Sequence, residues 1–587
     1  MLLTKGVSKM TKEKKKRQRQ PKSDFQKDLD KVRKLTPRHV LEVELDVPLP
    51  LQPKLLNMMN QLRMIRNTTI GVAKKRYDQM VRTKRYKHFK KEMKIVLNEL
   101  KKDNLKRKEL NELNKRKREI NESLKSLKQE FEVDEVSICD YGAKLNKERF
   151  KKVDAVTVLS VCEHINEAMD KLEYGNANNI RFLPYGEFVP LQGKQANRSI
   201  ILKRDKIETK DEEEKYSEPY MVHQKMKFPL KIKSTDLFVK ETLSNIFYYD
   251  ENESEINRQL ISDYKNQIKL RDTYRICNNR IVCKEIRGKC RFFVQMTLEG
   301  NPVSKRKKDG SFRHVLGLGR IGLDIGTQSI AYITDSNVEL KNLAERSVKS
   351  TFKHEQQIIR LQRKMDRSKR AMNPQYFNED GTIKKGKKEW VYSNRYKKVR
   401  TKYRELHRKN AINRRLANLE EINKLRTLGD EVILEPMNFK GLQKKAKEVT
   451  KNKKGRFNRR KRFGKSLLKR CPGTFIADLK KRFKQTDGNV FEVAQWDFKA
   501  SQFDHMTGEY SKKTLSQRFH TFEDGTKVQR DLYSAFLLKC SNEQFEAPNL
   551  EECFNFYKQF KTQHDLKIKE IQEKKLKVLN SGIKLTA

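Results

Sequence analysis

The stretch IGLDIGTQSIAYIT, residues 321–334, sets a carboxylate inside a run of strand-forming residues. Asp324 stands between Leu323 and Ile325 and is followed by Gly326 and Thr327. An ionised side chain in a half-buried strand costs several kcal/mol unless a cation or hydrogen-bond donors compensate it. A chain carrying this strand must therefore build something around Asp324 that tolerates its charge.

Two chemistries use such a strand. In one, the glycine turn after the strand cradles phosphate with backbone N–H groups. The stretch is very similar to the phosphate loop of actin-like ATPases and sugar kinases. Those proteins need a second Gly-rich phosphate loop and a Gly-rich nucleoside clamp. This chain has 24 Gly in 587 residues, and its two EDGT stretches, 379–382 and 523–526, sit in polar turns without a preceding strand. The other chemistry is that of a metal-dependent nuclease of the ribonuclease-H type. About three carboxylates converge there on two Mg²⁺ ions about 3.5–4 Å apart, which clamp the attacking and leaving oxygens of a phosphodiester.

Two further segments supply candidate partners. DEVILEPMNFKGL (430–442) reads as a buried strand with Glu435 directly after Val432, Ile433 and Leu434. VQRDLYSAFLL (528–538) reads as a helix with Val528, Leu532, Ala535 and Phe536 on its buried face, and Asp531 shares that face. Alone, Asp531 would be read as a surface acid paired with Arg530. With Asp324 and Glu435, it completes a set of three.

Charge narrows the partner. The chain holds 133 Lys+Arg against 77 Asp+Glu, a formal net charge of +56 spread along its length. That excess predicts a large polyanion, nucleic acid before membrane. No run approaches the roughly 18 apolar residues of a membrane span, and the start, MLLTKGVSKMTKEKKKRQRQ, lacks the apolar core of a signal peptide. Its basic run reads as a plain tail before a nuclear address or a phosphate-binding arm. The eight cysteines form no CxxC pair, so neither a zinc finger nor a disulfide framework is written here. A reducing, intracellular setting is expected: cytoplasmic and nucleoid-associated in a prokaryote, nuclear in a eukaryote.

Along the chain, RHVLEVELDVPL (38–49) alternates like a half-buried strand. The helix after it carries Leu55, Met58, Met59, Leu62 and Ile65 at helical spacing. Residues 84–130 read as solvent-laced helices without a compact core. Short strands such as RSIILK, KFPLKIK, RIVCKEI and CRFFVQMTLEG follow between 178 and 315, the pattern of a β-barrel-like domain that takes in the strand at 38–49. From 354 to 427 the chain is helical and basic, with an apolar seam at Leu406, Ile412, Leu416, Leu419 and Ile422. Its other faces have few compensating acids. Arg360, Arg363, Lys364, Arg367, Arg408, Lys409, Arg414 and Arg415 are therefore expected to track phosphates. Arg459, Arg460 and Arg462, in the basic segment 444–470, are expected to do the same; Phe457 and Phe463 there are read as anchors.

Together, IGLDIGTQSIAYI, VILEPMNFKGL and VQRDLYSAFLL resemble the three split motifs of the RuvC nuclease domain, most of all those of the transposon-encoded TnpB nucleases and the compact type V CRISPR effectors. The resemblance covers roughly residues 318–540; the N-terminal half agrees only in layout. It implies a multidomain α+β protein. An RNase H-like (RuvC) α/β nuclease domain, split in sequence, would occupy 316–345, 428–498 and 527–545. A wedge β-barrel (oligonucleotide-binding-like) domain would take 37–50 and 178–315, and an α-helical recognition domain 51–177. The remainder would be a basic N-terminal tail (1–36), a basic helical insertion (346–427), a target nucleic-acid-binding hairpin (499–526) and a C-terminal helical tail (546–587).

The resemblance further implies an RNA-guided DNA endonuclease. A guide RNA, from a transposon or a CRISPR array, would read the sequence, and the protein would read a short motif in the double-stranded target DNA. Asp324, Glu435 and Asp531 would be the catalytic and metal residues, holding two Mg²⁺ with Mn²⁺ as substitute. A monomer is expected. Relatives that bind without cutting lose one or more acids, whereas this chain keeps all three; a transposon-associated nuclease or resolvase working without RNA would not need such long basic helices. The sequence departs from the family in the hairpin, where the four cysteine places of a zinc site read Asp504, Thr507, Thr521 and Asp524. These are not a tetrahedral zinc set, and His505 and His520 fall outside the frame, so a zinc-free hairpin is expected. Arg518 is a candidate for neutralising the scissile phosphate.

Overall fold

This computed structural model describes residues 22–101, 106–150, 153–196, 198–207, 215–266, 274–307, 309–446, 448–451, 455–458, 463–514 and 516–585. Arg459, Arg460, Arg462 and most of the basic tail lie outside them. No helix among the described residues is long and apolar enough to cross a membrane.

The tail is not plain throughout. Ser23 caps α1 (Asp24–Leu35), which buries Leu29 and Val32. Arg33 of α1 donates to Tyr249 Oη and Asn257 Oδ1, both at 3.3 Å. Two apolar residues three apart suffice to dock a helix whose composition is otherwise nearly all charge.

Strand β1 (Arg38–Glu44) leads into α2 (Leu51–Arg82), whose Leu55, Met58, Met59, Leu62 and Ile65 are buried as their spacing predicts. Helices α3 (Lys84–Glu99) and α4 (Arg107–Glu130) do enclose a small core, in which Tyr86, Val96, Ile120, Leu124 and Leu127 meet Met80 of α2. The expectation of coreless helices fails there because a few apolar residues line one face amid the Lys and Glu. Helices α5 (Glu135–Leu145) and α6 (Ala155–Glu173) pack back on α2, and His164 faces solvent.

The region after α6 holds β2 (Leu191–Gln192), β3 (Ile200–Lys203), β4 (Lys206–Ile207), β5 (Lys215–Tyr216), β6 (Tyr220–His223) and β7 (Met226–Pro229). Helices α7 (Leu237–Glu251) and α8 (Glu253–Lys265) and the long strands β8 (Arg275–Ile286) and β9 (Lys289–Glu299) follow. Strand β1 joins β9 antiparallel, Leu41 opposite Met296 and Val43 opposite Val294, across some 250 residues of chain. No closed barrel forms among the described residues. The sheet β1-β9-β8-β2 is separate from β3-β6-β7 and β4-β5. Pro229 ends β7 and has no N–H to donate. The ladder toward β1 is therefore reduced to a Leu45–Leu230 bridge, with Asp46 donating to the Pro229 carbonyl at 2.9 Å. The helices α7 and α8 were hidden behind the strand-rich texture around them, although Val239, Leu243, Ile246 and Phe247 carry helical spacing.

The second half contains β10 (Arg320–Ile325), β11 (Ser329–Ile333), β12 (Val338–Asn342), α9 (Glu345–Met372), α10 (Asn394–Arg426), β13 (Glu431–Leu434) and α11 (Phe439–Leu442). Then come α12 (Gly464–Arg470), α13 (Pro472–Lys484), β14 (Asn489–Glu492), α14 (Gln495–Phe498), β15 (Phe519–Thr521), β16 (Lys527–Gln529), α15 (Arg530–Lys539) and α16 (Leu550–Glu573). Five strands form one sheet in the order β12-β11-β10-β13-β14. Its first strand, β10, is central, antiparallel to β11 and parallel to β13. The long α9 and α10 pack together as a hairpin inserted between β12 and β13. The apolar seam of α10 is narrower than its spacing suggested: Leu406 and Ile422 are buried, but Ile412 and Leu416 are 42% and 58% exposed. Polar pairs take their place, with His354 Nδ1 2.6 Å from Asn410 Oδ1 and Asn413 donating to Ser350 at 2.7 Å.

Candidate active site

The parallel pairing of β10 and β13 sets Leu323 opposite Leu434, so Asp324 and Glu435, one residue further along each strand, leave the same end of the sheet. Helix α15 crosses β10 so closely that a Cβ on Gly322 would collide with the Ala535 carbonyl and the Lys539 amide. Glycine is required there by the approach of another backbone. The crossing brings in Asp531, in the first turn of α15, where the helix's positive end favours a carboxylate. Gln529 fixes that turn: its side chain accepts from Leu532 N at 2.8 Å and donates to the Ser581 carbonyl at 3.3 Å. Val528 lies on β16 and not on the helix, as its spacing had suggested, and α15 is buried from Leu532 to Lys539 instead of on one face.

The three acids share one electrostatic neighbourhood. Burial pushes the Asp324 carboxyl well above the usual range, and the charges of Asp531 and Glu435 push it further; Arg530 opposes them. Burial also raises Glu435. Asp531 is raised by burial against the pull of Arg530, Arg518 and the Gln529 side chain. Three converging, partly desolvated carboxylates are the donor set of a hard divalent cation such as Mg²⁺ or Mn²⁺, and not of zinc. Among the described residues no group of three or more His, Cys, Asp or Glu side chains stands ready to hold a metal ion, so Asp324, Glu435 and Asp531 share an electrostatic field without forming a ready-made ligand set.

Arg518 is half-buried beside this cluster, and its carbonyl accepts from Arg530 N at 2.9 Å. Arg530 was read only as a surface partner; its guanidinium donates to the Gln517 carbonyl at 3.1 Å and stands 3.6 Å from Asp531 Oδ1. Adjacency to Asp531 was the only signal that pointed to it. On the helical insertion, Arg360, Arg363, Lys364, Arg367, Lys409 and Arg415 are exposed and Arg414 is half-buried. Arg408 already spends its guanidinium on Glu405, at 2.6 and 2.8 Å.

The hairpin before α15 holds itself with polar and aromatic contacts. Asp504 Oδ2 lies 2.9 Å from His520 Nε2. Thr507 Oγ1 accepts from Glu509 N at 3.3 Å, Asp524 accepts from Thr526, and Thr521 pairs with Lys527 across the ladder. The two out-of-frame histidines are the anchors. Tyr533 Oη, on α15, accepts from the His505 amide at 3.0 Å and lies 2.8 Å from its Nδ1. The His520 ring stacks on Tyr533 with centroids 4.7 Å apart.

His505 is 1% exposed, and burial pulls its pKa down to about 4, against the attraction of Asp504 and with help from His520. A histidine neutral in the fold but free to charge when unfolded costs stability as pH falls. The loss begins near the usual value of about 6.5 and is complete near the folded value of about 4. Urea titrations are expected to lose on the order of 3 kcal/mol across that window. Burial lowers His39, His223, His520 and His564 as well, so His505→Phe should reduce the slope by the His505 share and not abolish it; an unchanged slope would mean that His505 does not contribute.

No known protein family and no curated protein sequence matches this chain. Similar solved structures include a Cas12f1–sgRNA–target DNA complex (10% identity, TM-score 0.37, covering 87% of this chain and 99% of that one). They also include a CRISPR-Cas12f ternary complex (10%, 0.21, 82% and 81%) and a Cas12i1 R-loop complex before target DNA cleavage (9%, 0.19, 77% and 57%). With scores this low, the geometry of the site and not the likeness carries the functional reading.

Proposed function

We propose that the sheet and its three acids form a metal-dependent phosphodiesterase of the RuvC, ribonuclease-H-like type, split over 316–345, 428–498 and 527–545. The observation that carries this is the convergence of Asp324, Glu435 and Asp531 from a central first strand, its parallel neighbour and a crossing helix, with the charges of Glu435 and Asp531 raising the Asp324 pKa. Asp324, Glu435 and Asp531 would hold two Mg²⁺, which supply an activated water and charge stabilisation at the leaving oxygen. Arg530 and Arg518 bring positive charge to the same place, suited to the phosphate being cut.

The particular activity we propose is RNA-guided cleavage of double-stranded DNA. The +56 charge and the exposed cations of α9 and α10 suit a chain that holds a nucleic-acid duplex by its backbone. The test is the RNA that co-purifies from the native host at low salt. A discrete RNA with a constant scaffold and a variable end is the expected result. Protein free of RNA at low salt would overturn the guided reading.

A further inference from the structure

Trp496 is 81% exposed, the more unusual because the chain has only two tryptophans. The other, Trp390, is half-buried, with Lys369 Nζ 3.7 Å from its ring and Tyr376 packed edge-on. A large aromatic left in water gives up its burial energy, and Trp496 is not on a loose loop. It sits on the single turn α14, held between Val493, 2% exposed, and Phe498, 0% exposed. The amide of Val493 donates to the Leu434 carbonyl at 3.1 Å, which continues the β13–β14 ladder next to Glu435. Trp496 is thus three residues beyond the point where the edge strand leaves the candidate site.

The surroundings suit one ligand chemistry. Tyr510, 46% exposed, stands with Lys499 Nζ 5.7 Å from its ring. Met437, 40% exposed, is two residues past Glu435. Lys499 and Lys512 face solvent nearby in the chain, against Asp497 on α14; Glu492 is engaged by Lys480 at 2.7 Å. Exposed aromatics beside exposed cations, on the turn that follows the edge strand paired with the strand carrying Glu435 at its end, suit a base whose phosphates the cations hold.

We propose that Trp496 is a stacking platform for a nucleobase of the single DNA strand led to the Asp324–Glu435–Asp531 site. The inference rests on the nuclease reading of that site, but its test does not require cleavage. In the full chain carrying Trp390→Phe and Asp324→Ala, with EDTA present, Trp496 is the sole tryptophan. Its fluorescence is expected to be quenched saturably by a short single-stranded DNA oligonucleotide. Added to the Asp324→Ala chain, Trp496→Ala should weaken binding of that oligonucleotide about 10-fold, and Trp496→Phe by much less. The melting temperature should stay unchanged, because the side chain is in solvent. Absence of quenching, quenching by duplex DNA alone, or equal affinity in the alanine variant would overturn the proposal. A protein that binds single strands through Trp496 yet never cuts DNA would leave the platform standing and overturn the nuclease reading.

Discussion

On the proposed nuclease reading, replacing Asp324 with asparagine is expected to lower DNA cleavage by at least about 10³-fold, since it would remove a ligand of the Mg²⁺ ions that would activate water and steady the leaving oxygen. Two further readouts separate this from general damage. Asp324 sits under like charges in a desolvated place. A carboxyl whose folded pKa is raised favours the fold only below its unfolded value and disfavours it above. At neutral pH, removing the charge should therefore raise the melting temperature of the metal-free protein. Added Mg²⁺ should raise the melting temperature of the unaltered protein by binding only the folded state, and should not raise that of Asp324→Asn. Affinity for nucleic acid should be nearly unchanged, because the cations of α9 and α10 are untouched. A variant that melts lower without metal would mean that Asp324 is structural.

The second large effect is at a residue with no side chain. Gly322→Val should destabilise the sheet by about 3 kcal/mol or more, because the new Cβ meets the backbone of α15 at Ala535 and Lys539 and not a flexible side-chain tip. The strand cannot yield easily, since β10 is bonded on both sides. The helix that must shift carries Asp531, so on the proposed nuclease reading cleavage should fall even in molecules that remain folded. A shift of the order of 1 Å at a catalytic group costs about 10²-fold. Urea unfolding at constant m-value gives the first effect; cleavage per folded molecule gives the second. Normal stability in Gly322→Val would contradict the close crossing of α15 over β10.

The acids were legible in the sequence because each breaks a local rule. Asp324 interrupts a strand, Glu435 follows three buried apolar residues, and Asp531 opens a helix that is otherwise buried. The strand at 38–44 announced itself by alternation, and its partner β9 had the matching pattern. Gly322 was not legible as essential, since the helix that needs it arrives from some 200 residues away. Nor was the role of His505 and His520, which fall outside the frame of a zinc hairpin; His520 meets Asp504 within the hairpin, and both rings pack on Tyr533 only when α15 presents it. The β-rich middle misled because Pro229 ends a strand where closure would need another donor, and because α7 and α8 lie within a region whose texture is that of strands. In the α9–α10 hairpin, Asn410 and Asn413 make contacts that apolar spacing cannot reveal.

The most direct test of the account is cleavage of a supercoiled plasmid by the purified protein loaded with its co-purifying RNA. The plasmid carries the complement of that RNA's variable end together with its native flanking sequence. Nicked and linear product should form with Mg²⁺ or Mn²⁺, and neither with EDTA, with a plasmid lacking the complement, or with Asp324→Asn. Stable binding of the matched plasmid with no nick under any metal, or equal cutting of matched and unmatched plasmids, would contradict it.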